Sequence, residues 1–345
     1  MRATRPGAGG RFAPIRRRWA VLMVTLMTVG MTVGGCAAHL VPAGPMVTAP
    51  QLGRQVFVMP DGVRLPYRTW FPAGPKRAVM LALHGFNDSR DAFEIPAPLL
   101  AATGIAVYSP DLRGFGATSG RGYWPGTTTL VDDARTMARL LHAKYPHLPL
   151  YLLGESMGGA ALMLLGAEPS PPPVAGYILA APAVWGRADM NLFFRSALWI
   201  SWKLAPGLTV SGAGLVKASD NRAALEALGE DPLTILDTRI DTLHGLVNLM
   251  SQALSAAPRF HGPALILYGA RDQLVPKRAM AAMWRALPKG APIRLAYYAH
   301  GYHLLLRDHD RGLPIGDIIA WIRDPHAPLP SGADRAARAW LAGRH

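Results

Sequence analysis

A serine lies between two glycines in the segment Gly154–Gly158, which has the sequence GESMG. The apolar run Leu150–Leu153 before it predicts a buried strand, and the small apolar residues of Met157–Leu165 after it predict a helix. This spacing between a strand and a helix is typical of a nucleophile elbow, whose strained turn directs the serine hydroxyl out of the sheet. We therefore predict that Ser156 is a nucleophile. A bystander serine in a glycine-rich turn is the alternative.

A serine hydroxyl attacks a carbonyl when a base removes its proton, and a carboxylate orients that base. After such an elbow, the chain supplies Asp or Glu first and His second. Asp272 follows the apolar strand predicted over Ala264–Gly269, at the strand end where α/β sheets place their sites. Asp272 is the predicted acid, and an Asp that closes a turn or caps the next helix is the alternative. Asp231 and Asp241 are weaker candidates because neither follows a strand-like run.

Two histidines compete for the role of base in the loop after the last predicted strand. His303 is favoured because it precedes the apolar run Leu304–Leu306, which would anchor its loop, and because Gly301 provides a bend towards the nucleophile. His300 lies closer to the strand end, where local hydrogen bonds are the expected role, and stays the alternative base. His309 lies in a polar run and is predicted to be solvated.

An acyl-transfer site also needs two backbone N–H groups for the oxyanion. The central-strand pattern of Arg77–Leu83 runs into His84 and Gly85, and a His-Gly segment after the third strand is where this fold supplies one of them. We assign the backbone N–H groups of Phe86 and Met157 to the oxyanion hole. His84 is predicted to hold its loop by hydrogen bonds to nearby backbone, with a second catalytic base as the alternative.

In these motifs the sequence resembles the monoglyceride lipases and lysophospholipases of the α/β-hydrolase superfamily, which are grouped with serine aminopeptidase-like hydrolases. The resemblance covers about residues 52–323 and implies monoacylglycerols or lysophospholipids as preferred substrates. The segment Phe86–Arg90 departs from the family pattern, and Trp185–Leu215 has no clear match. The resemblance rests on His84–Gly85, Asp111–Gly120, Gly154–Gly159, Ser219–Asn221, Asp231–Pro232, Gly269–Pro276 and Gly301–Leu305.

Eight strand-like runs alternate with helical stretches from the third run onward. This alternation predicts an α/β-hydrolase fold, with a mostly parallel eight-stranded sheet flanked by helices. We place the core at residues 51–182 and 259–325, a helical cap over Ser156 at residues 183–258, and a C-terminal tail at residues 326–345. An apolar cap favours an acyl chain as substrate, although most of its aromatic side chains are expected to pack onto the core. These aromatic residues are Trp185, Phe193, Phe194, Trp199 and Trp202.

The N-terminal segment indicates export. Residues 1–35 hold six arginines, no acidic residue and the apolar run Trp19–Val33, as in a signal peptide. Cys36, the only cysteine, follows Val33–Gly35 in a pattern that resembles a bacterial lipobox and implies lipid attachment there. We predict a protein exported and lipid-anchored to the bacterial cell envelope, in the outer membrane if there is one. An uncleaved anchor is the alternative, although the run is shorter than the ~20 residues of a membrane span. Residues 36–50, rich in Pro and Gly, are predicted to be a tether.

The charge of the chain restricts its partners. Without the six arginines of residues 1–35, the formal net charge falls from +14 to +8. No lysine-rich tail and no interleaving of aromatic and basic residues accompany it, so nucleic acid is not a predicted partner. A basic surface suits anionic lipid headgroups, and we expect a lipid ester as substrate and a membrane surface, reached through the lipid anchor, as partner. The sequence carries no signal for an oligomeric state.

The sequence thus predicts a serine hydrolase that cleaves carboxylic esters of lipids through an acyl-enzyme. No metal or cofactor is expected, because the chemistry needs none and the sequence has no cluster of Cys and His. A thioesterase, an acyltransferase and a peptidase stay alternatives, since the same triad serves all of them. A lipoprotein that only binds lipid is the other alternative, and the complete Ser–Asp–His set argues against it.

Overall fold

A sheet of nine strands forms the centre of the computed structural model, which describes residues 38–212 and 216–343. The signal peptide predicted over residues 1–35 and the lipidation site Cys36 lie outside the described residues. In chain order the strands are β1 (Gln51–Leu52), β2 (Val56–Val58), β3 (Arg64–Trp70), β4 (Ala78–Leu83), β5 (Ile105–Pro110), β6 (Leu150–Glu155), β7 (Gly176–Ala180), β8 (Thr209–Ser211), β9 (Asp237–Arg239), β10 (Ala264–Gly269) and β11 (Ile293–Tyr298).

The strands of the sheet follow the order β1-β2-β3-β5-β4-β6-β7-β10-β11. From β5 to β11 neighbouring strands are parallel, and β1, β2 and β3 extend the sheet as an antiparallel edge. The predicted fold class is confirmed, with one correction: the sheet has nine strands rather than eight, because the two residues of β1 also pair with β2. Since parallel strands end at one edge, the loops after β4, β6, β10 and β11 lie along the same edge of the sheet.

Side chains of the central strands alternate between two hydrophobic cores, one on each face. In β4, Val79, Leu81 and Leu83 join one core, whereas Met80 and Ala82 join the other. Every residue of β4 is buried, as a parallel sheet covered by helices on both faces requires. The α-helices of the described residues, which include the covering helices, are α1 (Pro96–Ala101), α2 (Thr127–Lys144), α3 (Met157–Gly166), α4 (Leu192–Leu204), α5 (Arg222–Glu230), α6 (Ile240–Ala256), α7 (Lys277–Ala286), α8 (Gly312–Arg323) and α9 (Ala333–Leu341).

In its described residues, the insertion predicted as a helical cap contains three α-helices, α4, α5 and α6, and a two-stranded antiparallel ribbon of β8 and β9. The last helix, α6, belongs to the core, because Leu249 and Ala253 are fully buried there. In contrast, no residue of α4 is buried. The insertion is mainly helical, as predicted, and a short ribbon that the sequence did not indicate joins its helices.

Both ends of the described chain are attached to the domain, which differs from the predicted tether and tail. The Val41 N–H donates to the Trp124 carbonyl (3.0 Å), so residues predicted as a tether are hydrogen-bonded to the core. Within the predicted tail, α9 packs on β11, where Trp340 stacks on Tyr297 with ring centroids 4.7 Å apart. Across residues 38–212 and 216–343, the helices are too short or too polar to cross a membrane.

Candidate active site

Ser156 lies at the turn between β6, which ends at Glu155, and α3, which begins at Met157. Its backbone has φ 51° and ψ −109°, a conformation that residues with a Cβ rarely adopt. The turn is held on both sides, since the Ser156 N–H donates to the Ala180 carbonyl (3.0 Å) and its carbonyl accepts from the Ala183 N–H (2.9 Å). The strained turn predicted from the glycine spacing is confirmed.

The two glycines of the motif are required by close approach of the backbone. A Cβ on Gly154 would lie 2.5 Å from the Gly159 nitrogen, and a Cβ on Gly158 would lie 2.3 Å from the Leu83 carbonyl oxygen. Both contacts are with backbone atoms, which cannot rotate away as the end of a side chain can. Any larger residue would therefore separate α3 from β6 or from the end of β4.

Asp272 and His303 form a buried hydrogen-bonded pair in the loops after β10 and β11. The His303 Nδ1–H donates to Asp272 Oδ2 (2.8 Å), and the other carboxylate oxygen accepts from the N–H groups of Leu274 (2.8 Å) and Val275 (2.9 Å). The two backbone donors fix the carboxylate, and the carboxylate fixes the histidine tautomer. Nε2 is left unprotonated, which is the state that a general base needs.

The charges around His303 set its proton affinity. Burial disfavours the imidazolium, but the Asp272 carboxylate, through its charge and hydrogen bond, and the charge of Glu155 favour it; the Arg307 guanidinium acts against it. The outcome is a pKa of His303 above its ordinary value of 6.5. A base with such neighbours holds a proton well once it has accepted one, as the step after nucleophilic attack demands.

Ser156, Asp272 and His303 thus lie in loops at one edge of the sheet, and together they have the composition of a serine-hydrolase triad. Among the described residues, no hydrogen bond joins the Ser156 hydroxyl to the His303 ring, and that contact stays a prediction. Such contacts are often longer before a ligand binds. In the described part of the chain, no group of three His, Cys, Asp or Glu side chains is arranged to hold a metal ion.

The competing residues make contacts elsewhere. His300 accepts a hydrogen bond from the exposed Arg271 guanidinium (3.0 Å), which is the local role expected for it, and His309 is exposed. Asp231 accepts a hydrogen bond from a serine hydroxyl, and Asp241 pairs with an arginine of the ribbon. Neither of these carboxylates is hydrogen-bonded to the His303 ring, whose partner is Asp272.

The loop after β4 is held by His84, as predicted. The His84 Nδ1–H donates to the Gly85 carbonyl (2.7 Å), and Nε2 accepts from the Leu112 N–H (3.0 Å). Both ring nitrogens are therefore occupied by backbone groups, and the ring is fully buried. This arrangement confirms the structural role and leaves neither nitrogen free to act as a base.

The same loop lies against the nucleophile. A Cβ on Gly85 would be 3.5 Å from the Ser156 Cβ, so a methyl group there would just touch the serine and the loop lies beside it. Within the described residues, the N–H groups of Phe86 and Met157 donate to no protein acceptor. Their assignment to the oxyanion hole stays a prediction, and free N–H groups beside the serine are what it requires.

The cap contacts the site loops but exposes one helix. The Ile235 N–H donates to the Asn87 carbonyl (2.9 Å) in the loop after β4, which places the ribbon side of the cap beside the site. On α4, by contrast, Phe193 is 77% exposed and Trp199 is 56% exposed. The expectation that most cap aromatics pack onto the core is wrong for Phe193, Phe194 and Trp199. A groove of about 400 Å³ lies between α4 and α6, and the triad residues are not among its lining residues.

A buried charge cluster, which sequence reasoning missed, joins the site loops. It consists of Asp88, Glu155 and Arg307. The only signal was position, because each of the three lies within four residues of a predicted site residue. The pairing itself is between residues far apart in the chain, and no local pattern indicates it.

Comparison with known proteins relates most of the chain to hydrolases. A family model described as serine aminopeptidase, S33, matches residues 74–310. The monoacylglycerol lipase of Mycolicibacterium smegmatis is 26% identical over 265 residues, which cover 76% of this chain and 93% of that protein. The human monoglyceride lipase is 29% identical over 252 residues, covering 72% of this chain and 82% of that protein.

Solved structures show the same fold. A Paleococcus ferrophilus monoacylglycerol lipase superposes with a TM-score of 0.62 at 22% identity, over 76% of this chain and 99% of that one. A soluble variant of Saccharomyces cerevisiae monoglyceride lipase superposes with a TM-score of 0.67 at 18% identity, over 84% of this chain and 99% of that one. These superpositions confirm the α/β-hydrolase fold.

Proposed function

The chain belongs to the serine aminopeptidase S33 family of hydrolases, and we propose that it cleaves carboxylic esters of lipids as a monoacylglycerol lipase or lysophospholipase. The observation that carries the proposal is the buried Asp272–His303 pair at the same sheet edge as the strained turn of Ser156. The two relatives named as monoacylglycerol and monoglyceride lipases support a single-chain glycerol ester as the substrate class.

In the proposed reaction, the Ser156 hydroxyl attacks the acyl carbonyl while His303 Nε2 accepts its proton. Asp272 keeps the ring in the required tautomer and stabilises the imidazolium. The N–H groups of Phe86 and Met157 bind the oxyanion of the tetrahedral intermediate. His303 then returns the proton to the leaving alcohol, and water resolves the acyl-enzyme by the same steps.

A fluorophosphonate probe and a substrate panel test this function. The full-length protein in detergent should be labelled at Ser156 and should hydrolyse monoacylglycerols and lysophospholipids across acyl lengths. The Ser156→Ala variant should fold and lose both labelling and hydrolysis, since the triad acts as a unit. Labelling with turnover only of thioesters or peptides would assign one of the alternative classes. A wild type that is neither labelled nor active would leave lipid binding as the function.

We further propose that the enzyme works at a membrane surface, held there by lipid on Cys36. The exposed apolar side chains of α4 support this, because soluble proteins rarely leave such a patch uncovered. The helix has two cations, Arg195 and Lys203, and no acidic residue, which suits contact with anionic headgroups. The apolar residues of this face are Leu192, Phe193, Phe194, Trp199, Ile200 and Leu204.

The lipid anchor is tested by intact-mass analysis of the membrane-extracted protein. We expect a chain that begins at a diacylglycerylated Cys36. Two or three acyl chains, at ~0.8 kcal/mol per buried CH₂, would hold the protein firmly at a membrane, whereas one would not. The Cys36→Ser variant should lose the modification while keeping esterase activity. An unmodified Cys36 with residues 1–35 still attached would show an uncleaved anchor instead.

A further inference from the structure

Three charged side chains form a buried cluster that joins the loops of the candidate site. Arg307 Nη2 donates to Asp88 Oδ2 (2.5 Å) and to Glu155 Oε1 (2.6 Å). The side chains are 6%, 7% and 1% exposed, respectively. Asp88 lies two residues after Phe86, Glu155 lies directly before Ser156, and Arg307 lies four residues after His303. The Arg307 guanidinium, in the loop after β11, therefore contacts both the loop after β4 that contains Phe86 and the end of β6 next to Ser156.

This cluster is not what a core selected for stability alone would contain. Two carboxylates face one guanidinium, and buried ion pairs contribute little net stability because desolvation offsets their attraction. In addition, Arg307 Nε and Glu155 Oε2 are buried without a hydrogen-bond partner among the described residues. Unsatisfied buried polar atoms destabilise a fold. The cluster therefore needs an explanation other than stability.

The loop that bears Arg307 is itself firmly held. The Asn221 side-chain amide donates to the Arg307 carbonyl (2.8 Å), and Asp308 accepts from the Ser219 hydroxyl (2.6 Å) and from the Tyr302 N–H (2.7 Å). Backbone on both sides of His303 is thereby fixed. Arg307 is consequently a rigid point against which the other two loops can be placed.

We propose that Arg307 is a positioning residue, whose contacts with Asp88 and Glu155 hold the Phe86 N–H and the Ser156 hydroxyl in the relative position that the oxyanion requires. This inference rests on the proposed function and deepens it. The oxyanion forms only during reaction, so a displaced Phe86 loop should weaken binding of the transition state and leave binding of the substrate unchanged.

The charges of the cluster also reach the base. Burial raises the pKa of Glu155, and the Arg307 guanidinium opposes that rise while Asp88 adds to it. His303 faces Asp272, Glu155 and Arg307, and the Glu155 carboxylate favours its imidazolium. Replacing Arg307 would leave two buried carboxylates without a cation, which threatens the fold. Asp88→Asn and Glu155→Gln are milder, because each leaves one carboxylate with the guanidinium.

The test measures kcat and KM on a soluble short-chain ester, the rate of fluorophosphonate labelling, and the melting temperature. Asp88→Asn should lower kcat at least about tenfold and at most about 10³-fold, with KM changed by less than about twofold. The upper limit is the effect of losing a whole oxyanion donor. Glu155→Gln should shift the acid limb of kcat/KM to lower pH, because it removes a carboxylate that favours the imidazolium. Asp91→Asn is the matched control and should change none of these, because Asp91 lies three residues after Asp88 but pairs with the half-buried Arg68.

The labelling rate separates this inference from the proposed function, because attack on the probe uses the same oxyanion geometry whatever the natural substrate. If the wild type is labelled but cleaves no lipid ester, the proposed function is wrong, and slow labelling of Asp88→Asn still supports the positioning role. If Asp88→Asn lowers only the melting temperature, with kcat and labelling rate within about twofold of wild type, the positioning role is wrong.

Discussion

The Asp272→Asn variant tests the central pair of the site, because the structure dictates which way the new amide must face. Asp272 Oδ1 accepts hydrogen bonds from the N–H groups of Leu274 (2.8 Å) and Val275 (2.9 Å). Only the amide oxygen of an asparagine can occupy that place, since an NH₂ group would oppose two donors. The amide nitrogen is therefore forced to the position of Oδ2, 2.8 Å from His303 Nδ1.

Two donors cannot share that contact, so His303 must change its tautomer. With Nδ1 accepting from the amide, the proton moves to Nε2, which can then no longer take the proton of the Ser156 hydroxyl. A wrong tautomer costs about 10⁴ in kcat in a serine triad, or about 5.4 kcal/mol of transition-state stabilisation. The fold should change little, because the asparagine oxygen keeps both backbone hydrogen bonds.

The assay compares kcat on a soluble ester with stability measured by urea unfolding. Asp334→Asn is the matched control: Asp334 is also a buried carboxylate, but it lies on α9 and pairs with Arg294. Its loss should lower stability and leave kcat unchanged. If Asp272→Asn folds and keeps kcat within about tenfold of wild type, the tautomer argument is refuted.

Three further predictions concern the base, the elbow and the cap helix. Because only neutral His303 can accept a proton and its pKa is raised, the acid limb of kcat/KM should lie above pH 6.5, and a limb below 6.5 would contradict this. The protonated His303 contributes fully to the stability of the fold below pH 6.5, and this contribution is lost as the pH rises through the raised pKa. Gly158→Ala should abolish activity and lower the free energy of unfolding by about 1–3 kcal/mol or more, because its methyl group would lie 2.3 Å from a strand carbonyl oxygen. Gly316→Ala, which has open space around it, is the control and should lower neither activity nor stability. Equal urea midpoints for the two variants would contradict the prediction. Phe193→Ser with Phe194→Ser should weaken sedimentation with anionic vesicles, measured on Cys36→Ser protein, without changing kcat on a soluble ester; unchanged sedimentation would mean that this face does not contact lipid.

The parts of the site that the sequence predicts are those with local requirements. Gly154 and Gly158 are visible in the sequence because backbone atoms approach within the space of a side chain, and no other residue fits there. Asp272 and His303 are predictable because each follows a recognisable apolar strand, and parallel strands bring their ends to one edge. The sheet was predictable for the same reason, apart from β1, whose two residues are too few to form a pattern.

The parts that were predicted wrongly depend on contacts between distant residues. Residues 38–50 have the composition of a flexible tether, yet the N–H of Val41 finds its acceptor at Trp124, and composition carries no trace of that partner. Residues 326–345 were predicted only as a tail, yet α9 within them packs on β11, with Trp340 stacked on Tyr297. For α4 the prediction overestimated burial, since its aromatic side chains were expected to pack on the core and most of them are exposed.

The Arg307 cluster shows why a triad that can be located in the sequence is not yet a site that can be built from it. His303 and Asp272 are 31 positions apart, whereas Arg307 is 152 positions from Glu155 and 219 from Asp88. Motifs identify the groups that react, because the chemistry restricts their residue types. The distance between an oxyanion donor and a nucleophile is set by whatever ties their loops together, and many different side chains can do that. Here the loops are joined by a guanidinium with two carboxylates. Under our proposal, the accuracy of the oxyanion hole therefore depends on residue types that the catalytic motifs do not specify.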